Sequence, residues 1–139
     1  MLQHIGTIDA ALRDNLIYGA FVSWVMRHNA IPSTDLQKIF ITLLDEGHLF
    51  FQIGEKNTDS IFTRSFSALW LPPILINHRK EAFLSEKEIK EGLKKLILFL
   101  GKEKDRRGFV EGKGWAHAIA HAADALDDFA LCSELDKEE

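Results

Sequence analysis

The segment 114–129, GWAHAIAHAADALDDF, constrains the fold most, because it keeps a helical period over its whole length. At about 100° per residue, one face collects apolar residues. These are Trp115, Ile119, Ala122, Leu126 and Phe129. The opposite face collects four polar residues, which are His117, His121, Asp124 and Asp128. The segment predicts a helix that begins at about Trp115, packs through its apolar face and carries a polar ladder on its back.

The rest of the sequence keeps the same period and predicts an all-α fold of about five or six helices in antiparallel hairpins. The first helix is expected from about Asp9, as its cap, to His28. We expect it to pack through Leu12, Leu16, Ile17, Phe21, Trp24 and Val25. The other boundaries expected are a cap at Ser33 or Thr34, a start near Thr58, a break at Pro72-Pro73, a capping box at Ser85 and Glu88, and a stop at Gly101.

The composition is that of one packed domain spanning residues 1–139, with 46% hydrophobic and 27% charged residues. The net charge of -4 argues against a dedicated nucleic-acid binder. No stretch reaches the roughly 20 apolar residues that span a bilayer. The N-terminus shows no secretory signal, and the single cysteine, Cys132, excludes an internal disulfide. We therefore expect a cytoplasmic protein that binds neither membrane nor nucleic acid.

Four segments, at 5–19, 53–69, 103–110 and 114–126, carry a pattern whose most distinctive parts are TDSIFTRSFS and GWAHAIAHAAD. In this order they resemble a bacterial family described only as a domain of unknown function. The resemblance implies a HEAT-like, right-handed α-α stack, and it implies no established reaction. The pattern maps onto Asp9, Arg13, Asp14, Tyr18, Thr58, Asp59, Arg64, Ser65, Asp105, Arg107, Gly108, Trp115, His117, His121 and Asp124.

The histidine pair is the sharpest functional signal. His117 and His121 stand four residues apart, so their rings lie side by side on a helix, a spacing that suits metal ligation. No glutamate lies inside HAIAH, so the HExxH pattern of zinc proteases is missing. The pair can hold a metal, form a hydrogen-bonded seam between helices, line a ligand pocket without metal, or face water.

Arg64 stands among hydroxyl residues on one side of the third helix, which is the chemistry of a cradle for a carboxylate or phosphate. A structural pairing with a carboxylate is the alternative. Asp105 and Arg107 lie in a charged, glycine-rich loop that can clamp a ligand or simply meet water. The candidate ligand-binding residues are Arg64, Ser67, Asp105, Arg107, Trp115, His117, His121 and Asp124.

Two functions remain open at this point. The first is a binding module whose polar groove receives a small anionic ligand or a peptide. The second is a metal-assisted hydrolase that uses His117, His121 and Asp124. No cofactor is assigned, and no metal is assigned to the site. A homodimer is expected because Phe129, Leu131 and Cys132 lie at an end where a solenoid needs a capping helix.

Overall fold

The computed structural model describes residues 1–136, whose regular secondary structure is almost entirely helical. The helices are α1, α2 (Ser33–Leu43), α3 (Ser60–Leu69), α4 (Leu71–Lys80), α5 (Glu86–Lys102) and α6 (Ala118–Ala130). Helix α1 joins a π-helical segment Ala11–Tyr18, an α-helical turn Gly19–Val22 and a second π-helical segment Ser23–Arg27. Short 3₁₀ turns lie at Leu2–His4 and Ser133–Leu135, and β1 (Phe109–Val110) pairs with β2 (Gly114–Trp115). The all-α prediction is confirmed.

Helix α1 buries only part of the apolar face that was predicted for it. Its start is as expected, since Asp9 accepts a hydrogen bond from the Leu12 amide at 3.0 Å. The core side, however, carries Arg13, Phe21 and Val25, while Leu16 and Trp24 are exposed. The wider turns of a π-helix explain the change, because alternating α and π turns keep residues four apart on one side. A face predicted with 3.6 residues per turn therefore drifts around the helix relative to the face that is buried.

Most boundaries of the other helices match the sequence signals. The helix is interrupted at Trp70, just before Pro72-Pro73. Ser85 and Glu88 form the predicted capping box. Two expectations are wrong. Helix α2 has no side-chain cap and follows Pro32, whose fixed φ suits a helix start without help from Ser33 or Thr34. Gly101 lies within the last turn of α5 and does not end it.

A β-hairpin replaces the predicted start of the last helix. Phe109 pairs with Trp115 and Val110 with Gly114. The pairing continues past β2, since the Ala116 amide donates to the Gly108 carbonyl at 2.8 Å. The backbone amides of Ala116 and His117 therefore bond to the carbonyls of Gly108 and Arg107, and α6 begins only at Ala118. Trp115, expected as a core anchor, is 51% exposed.

Helix α6 lies at the centre of the fold and packs against α3, α4 and α5. Its buried residues are Ala118, Ala122, Ala125 and Phe129. Because alanine is small, the neighbouring helices can approach closely. These contacts do not by themselves establish a repeated arrangement of helix pairs, so the HEAT-like stack stays a prediction.

The end of the chain does not offer the apolar surface on which the homodimer was predicted. Phe129 and Cys132 are fully buried, and Leu131 alone of the three is exposed. The turn Ser133–Leu135 packs on α5 and covers this end. The homodimer and the cytoplasmic location stay predictions. Across residues 1–136, no helix is both long and apolar enough to cross a membrane.

Candidate functional site

An open pocket of about 300 Å³ lies where α1, α3, the hairpin and the start of α6 meet. Its walls are mainly rings, with one carboxylate. The lining residues are Asp14, Tyr18, Phe66, Leu69, Trp115, His117 and His121. Ligand sites in proteins are typically concave, mostly apolar and supplied with a few converging polar groups, and this pocket has those properties at the lower end of their usual size.

One wall of the pocket is a pair of stacked rings. The indole of Trp115 and the imidazole of His117 are parallel within 5°, with centroids 4.4 Å apart. His117 precedes α6 in a left-handed conformation, with φ of 53°. This backbone costs a non-glycine residue about 1–2 kcal/mol. The hairpin contact from the His117 amide to the Arg107 carbonyl, at 3.2 Å, helps to hold it.

The floor of the pocket contains His121, whose tautomer follows from its hydrogen bonds. The Ser65 hydroxyl contacts both the Ala116 carbonyl and Nδ1 of His121, the latter at 2.9 Å. A carbonyl only accepts, so the single hydroxyl proton goes to Ala116. Nδ1 must then donate its proton to Ser65 Oγ. In the neutral ring Nε2 therefore carries a lone pair, which can accept a hydrogen bond or a proton.

Two carboxylates, Asp14 and Asp124, act on the pKa values of the pocket's titratable rings. Burial lowers the pKa of His121, and the neighbouring His117 adds to this, although Ser65, Asp124 and Asp14 oppose it. Burial also raises the pKa of Tyr18, and the charge of Asp124 raises it further. Asp124 is exposed and is not a lining residue, but it lies close enough for its charge to act on both rings.

Acidification is expected to destabilise the protein through His121. Its folded pKa lies below the ordinary value of 6.5, so the unfolded chain binds this proton more readily. The stabilising contribution is therefore fully present above that ordinary value and is lost as the pH falls below it. We expect the unfolding free energy of the protein, minus that of His121→Gln, to decrease between about pH 8 and pH 5.

Urea unfolding at each pH measures this difference. His28→Gln, at an exposed site, controls for the loss of an imidazole elsewhere. A difference that grows on acidification would mean that the fold prefers the charged ring, contrary to this assignment.

Beneath the pocket, Arg13 fixes α1 to the hairpin. Its side chain is fully buried and donates to the Thr7 carbonyl at 3.0 Å and the Lys113 carbonyl at 2.8 Å. Its guanidinium also lies 4.7 Å from the centre of the Phe66 ring and pairs with Asp14 at 2.8 Å. The positive charge is thus matched from within the fold, behind the rings that line the pocket.

Arg64 and Ser67 are not brought to this pocket. Arg64 donates to Glu103 at 2.6 Å and 3.1 Å, and both side chains are 0% exposed. The Ser67 hydroxyl donates back to the Thr63 carbonyl at 2.6 Å. Neighbouring residues of a helix point about 100° apart. Ser65 therefore reaches His121, while Arg64 beside it reaches Glu103. The structure therefore does not bring Arg64 and Ser67 together with the histidines, although all were candidate ligand-binding residues.

Asp105 and Arg107 join the interior network around Arg64. The Asp105 amide donates to Glu103 at 2.9 Å, and its carboxylate accepts from the Asn57 amide at 2.8 Å. Burial alone would raise the pKa of Asp105, but the hydrogen bonds from Arg107 and Asn57 outweigh it and lower the pKa. Arg107 also donates to the Thr58 carbonyl at 2.7 Å. Both residues hold two loops together in front of α3.

Only some of the four polar residues predicted on one face of the last helix lie at the pocket. His117 and His121 line it and Asp124 lies close to it, whereas Asp128 pairs with Arg79 of α4 at 2.7 Å. Among residues 1–136, no three His, Cys, Asp or Glu side chains are placed to share a metal ion. The two rings stand 6.0 Å apart in an edge-to-face arrangement.

Sequence reasoning missed four lining residues, namely Asp14, Tyr18, Phe66 and Leu69. The first two were present in the pattern shared with the family, and they stand four residues apart on α1. That spacing puts two side chains on one face of a helix, as it did for the histidines. No local signal marks Phe66 or Leu69, because an apolar side chain that borders a pocket has the same sequence pattern as any other core residue.

A second cavity, of about 390 Å³, lies between the ends of α1 and α4 and the start of α2. Its charged lining residues, Arg27, Lys80 and Glu81, are exposed. It contains no imidazole and one aromatic ring, Phe83. The pocket beside His121 is the stronger candidate because its rings and titratable groups converge.

A family model described as "Protein of unknown function (DUF2785)" matches residues 49–139. The chain belongs to this family. The matched part includes α3, the hairpin and α6, and therefore three walls of the pocket, while Asp14 and Tyr18 precede it. The chain matches no curated protein and no solved structure.

Proposed function

We propose that this protein is a helical binding module whose ligand site is the pocket formed by Tyr18, Phe66, Trp115, His117 and His121. One observation supports the proposal above the others. Aromatic and imidazole rings from four separate elements converge on one open space, and Ser65 holds His121 and Arg13 holds Asp14 from outside it. Such prearranged walls lower the ordering cost of binding. The ligand is a small molecule or a side chain of a peptide.

The anionic ligand expected from the sequence no longer has a supporting residue. That expectation rested on Arg64, whose charge is matched by Glu103 inside the fold. Arg13, whose guanidinium lies behind the Phe66 ring, is matched by Asp14 and two carbonyls. The proposal therefore keeps the groove and the small ligand or peptide, and leaves out the negative charge.

Benzyl alcohol, a neutral ring with one polar end, tests the pocket by NMR of the tryptophan indole N–H groups. We expect saturable shifts of the Trp115 signal, with a dissociation constant on the order of 1 mM for such a small probe. Trp24 is an internal control, because it is 44% exposed, against 51% for Trp115, and lies outside the pocket. Trp115→Phe assigns the signal. Equal shifts at Trp24 and Trp115, or none, would contradict the proposal.

A hydrolase remains the second candidate, and the lone pair on His121 Nε2 is the observation that favours it. With Nδ1 held by Ser65, this nitrogen is prepared to take a proton as a general base. The metal-assisted form of this function lacks a three-ligand cluster within residues 1–136. Hydrolysis of an activated aryl ester faster than free imidazole achieves, and lost in His121→Gln, would favour the enzyme.

A further inference from the structure

The pocket beside Trp115 presents ring surfaces in several orientations to one small space. Tyr18 meets Phe66 edge to face at 6.4 Å, and Phe66 meets His121 in the same way at 5.7 Å. The stacked pair of Trp115 and His117 forms another wall of the same open pocket. Rings at different angles around a small volume form an aromatic cage, and the negative faces of Trp, Tyr and Phe attract cations.

The fixed charges around this cage are negative. Asp14 lines it with a side chain that is 35% exposed, and Asp124 lies close enough to act on both Tyr18 and His121. Within residues 1–136, the lining contains no lysine or arginine. Arg13 offsets Asp14 in part, but its guanidinium is buried behind Phe66 and its hydrogen bonds end on protein atoms. An anion entering the pocket would therefore meet the Asp14 carboxylate and, in the described part of the chain, no lysine or arginine among the lining residues.

We propose that the pocket binds an organic cation, an ammonium group carried on a short carbon chain or a ring. This inference rests on the binding function proposed above and adds the charge of the ligand. The ammonium lies against the rings of Tyr18 and Trp115 with Asp14 and Asp124 nearby, and its carbon skeleton contacts Leu69 and Phe66. A small amine and the side chain of a lysine share this chemistry.

Three probes of nearly equal shape test the charge: benzylammonium, benzyl alcohol and benzoate. The readout is the Trp115 indole signal at neutral pH and low salt, with Trp24 as the internal control. We expect benzylammonium to bind about tenfold more tightly than benzyl alcohol, as a desolvated cation–π contact supplies, and benzoate to bind more weakly than both. Added salt should narrow the gap between the charged probes.

The outcomes separate this inference from the function on which it rests. If benzoate or benzyl alcohol binds at Trp115 as tightly as benzylammonium, the proposed preference for a cation is wrong, but the proposed ligand site is supported. No saturable shift from any of the three probes would overturn both. A lysine amide that matches benzylammonium would support the cation and indicate a peptide as its source, whereas weaker binding of the lysine amide would support a free amine.

A charge variant tests the same inference within the protein. Asp124→Asn removes a carboxylate at an exposed position, so it is expected to leave the fold intact and to weaken benzylammonium by about threefold with no effect on benzyl alcohol. Asp127→Asn is the matched control, because Asp127 is exposed on the same helix and outside the pocket lining. Equal losses in the two variants would overturn the role of Asp124 and, with it, the placement of the cation.

Discussion

Replacing Arg64 by methionine is expected to lower the free energy of unfolding by about 3–5 kcal/mol, because it leaves the Glu103 carboxylate charged, buried and unpaired. Both side chains are 0% exposed in the folded protein. Arg64 also donates to the Phe51 carbonyl at 3.0 Å and to the Ser60 hydroxyl at 2.7 Å, and these acceptors lose their donor as well. Chemical denaturation of the variant measures the loss.

The double variant Arg64→Met, Glu103→Leu separates the charge from the remaining contacts. It is expected to recover part of the stability, since an apolar pair often replaces a buried ion pair at little cost. Recovery should be incomplete because the Phe51 carbonyl and the Ser60 hydroxyl stay without their donor. Arg107→Met, at a side chain that is 26% exposed, is the matched control. A loss below about 1 kcal/mol for Arg64→Met would show that the pair is not buried as described.

Two glycines of α5 should respond to alanine with opposite signs. A Cβ at Gly92 would lie 2.7 Å from Cζ of Phe40 and 2.9 Å from Cζ of Phe129. Overpacking of this kind costs about 1–3 kcal/mol, of which the better helix propensity of alanine returns up to about 1 kcal/mol. We therefore expect Gly92→Ala to destabilise the protein by up to about 2 kcal/mol in chemical denaturation.

Gly101→Ala is the control on the same helix. A Cβ there would meet nothing within 4 Å, so only the propensity term remains. We expect a gain of about 0.5–1 kcal/mol. Equal effects at the two positions would mean that Phe40 and Phe129 do not pack against Gly92.

The Arg64 result also decides between two roles for this residue. Arginine among hydroxyl residues indicates an anion cradle when only the helix is considered. The partner that makes it structural, Glu103, lies 39 residues further along the chain. If Arg64→Met destabilises the protein, but its folded fraction still binds the probes at Trp115 as tightly as the unchanged protein does, Arg64 belongs to the scaffold.

The sequence determined the features that depend on neighbours along the chain. The Asp9 cap, the break at Pro72-Pro73 and the capping box of Ser85 each act within one helical turn, and all three are present. The all-α class followed because the apolar period persists through almost every segment. His121 and Asp124 share one face of α6 as the spacing predicts, since residues three apart on a helix lie side by side. His117 was expected on the same helix but precedes it.

Only the tertiary structure decided which of these residues meet. The hairpin turns Trp115 into the solvent and holds His117 outside α6, because its backbone pairs with residues 107 and 108 before the helix can begin. The face of α1 that enters the core depends on π turns that no local pattern signals. Asp14 and Tyr18 become pocket residues, and Arg64 a core residue, through contacts between segments far apart in the chain. Local hydrogen bonding and periodicity fix where helices form, but long-range packing and the pairing of buried charges fix which side chains are left to bind a ligand.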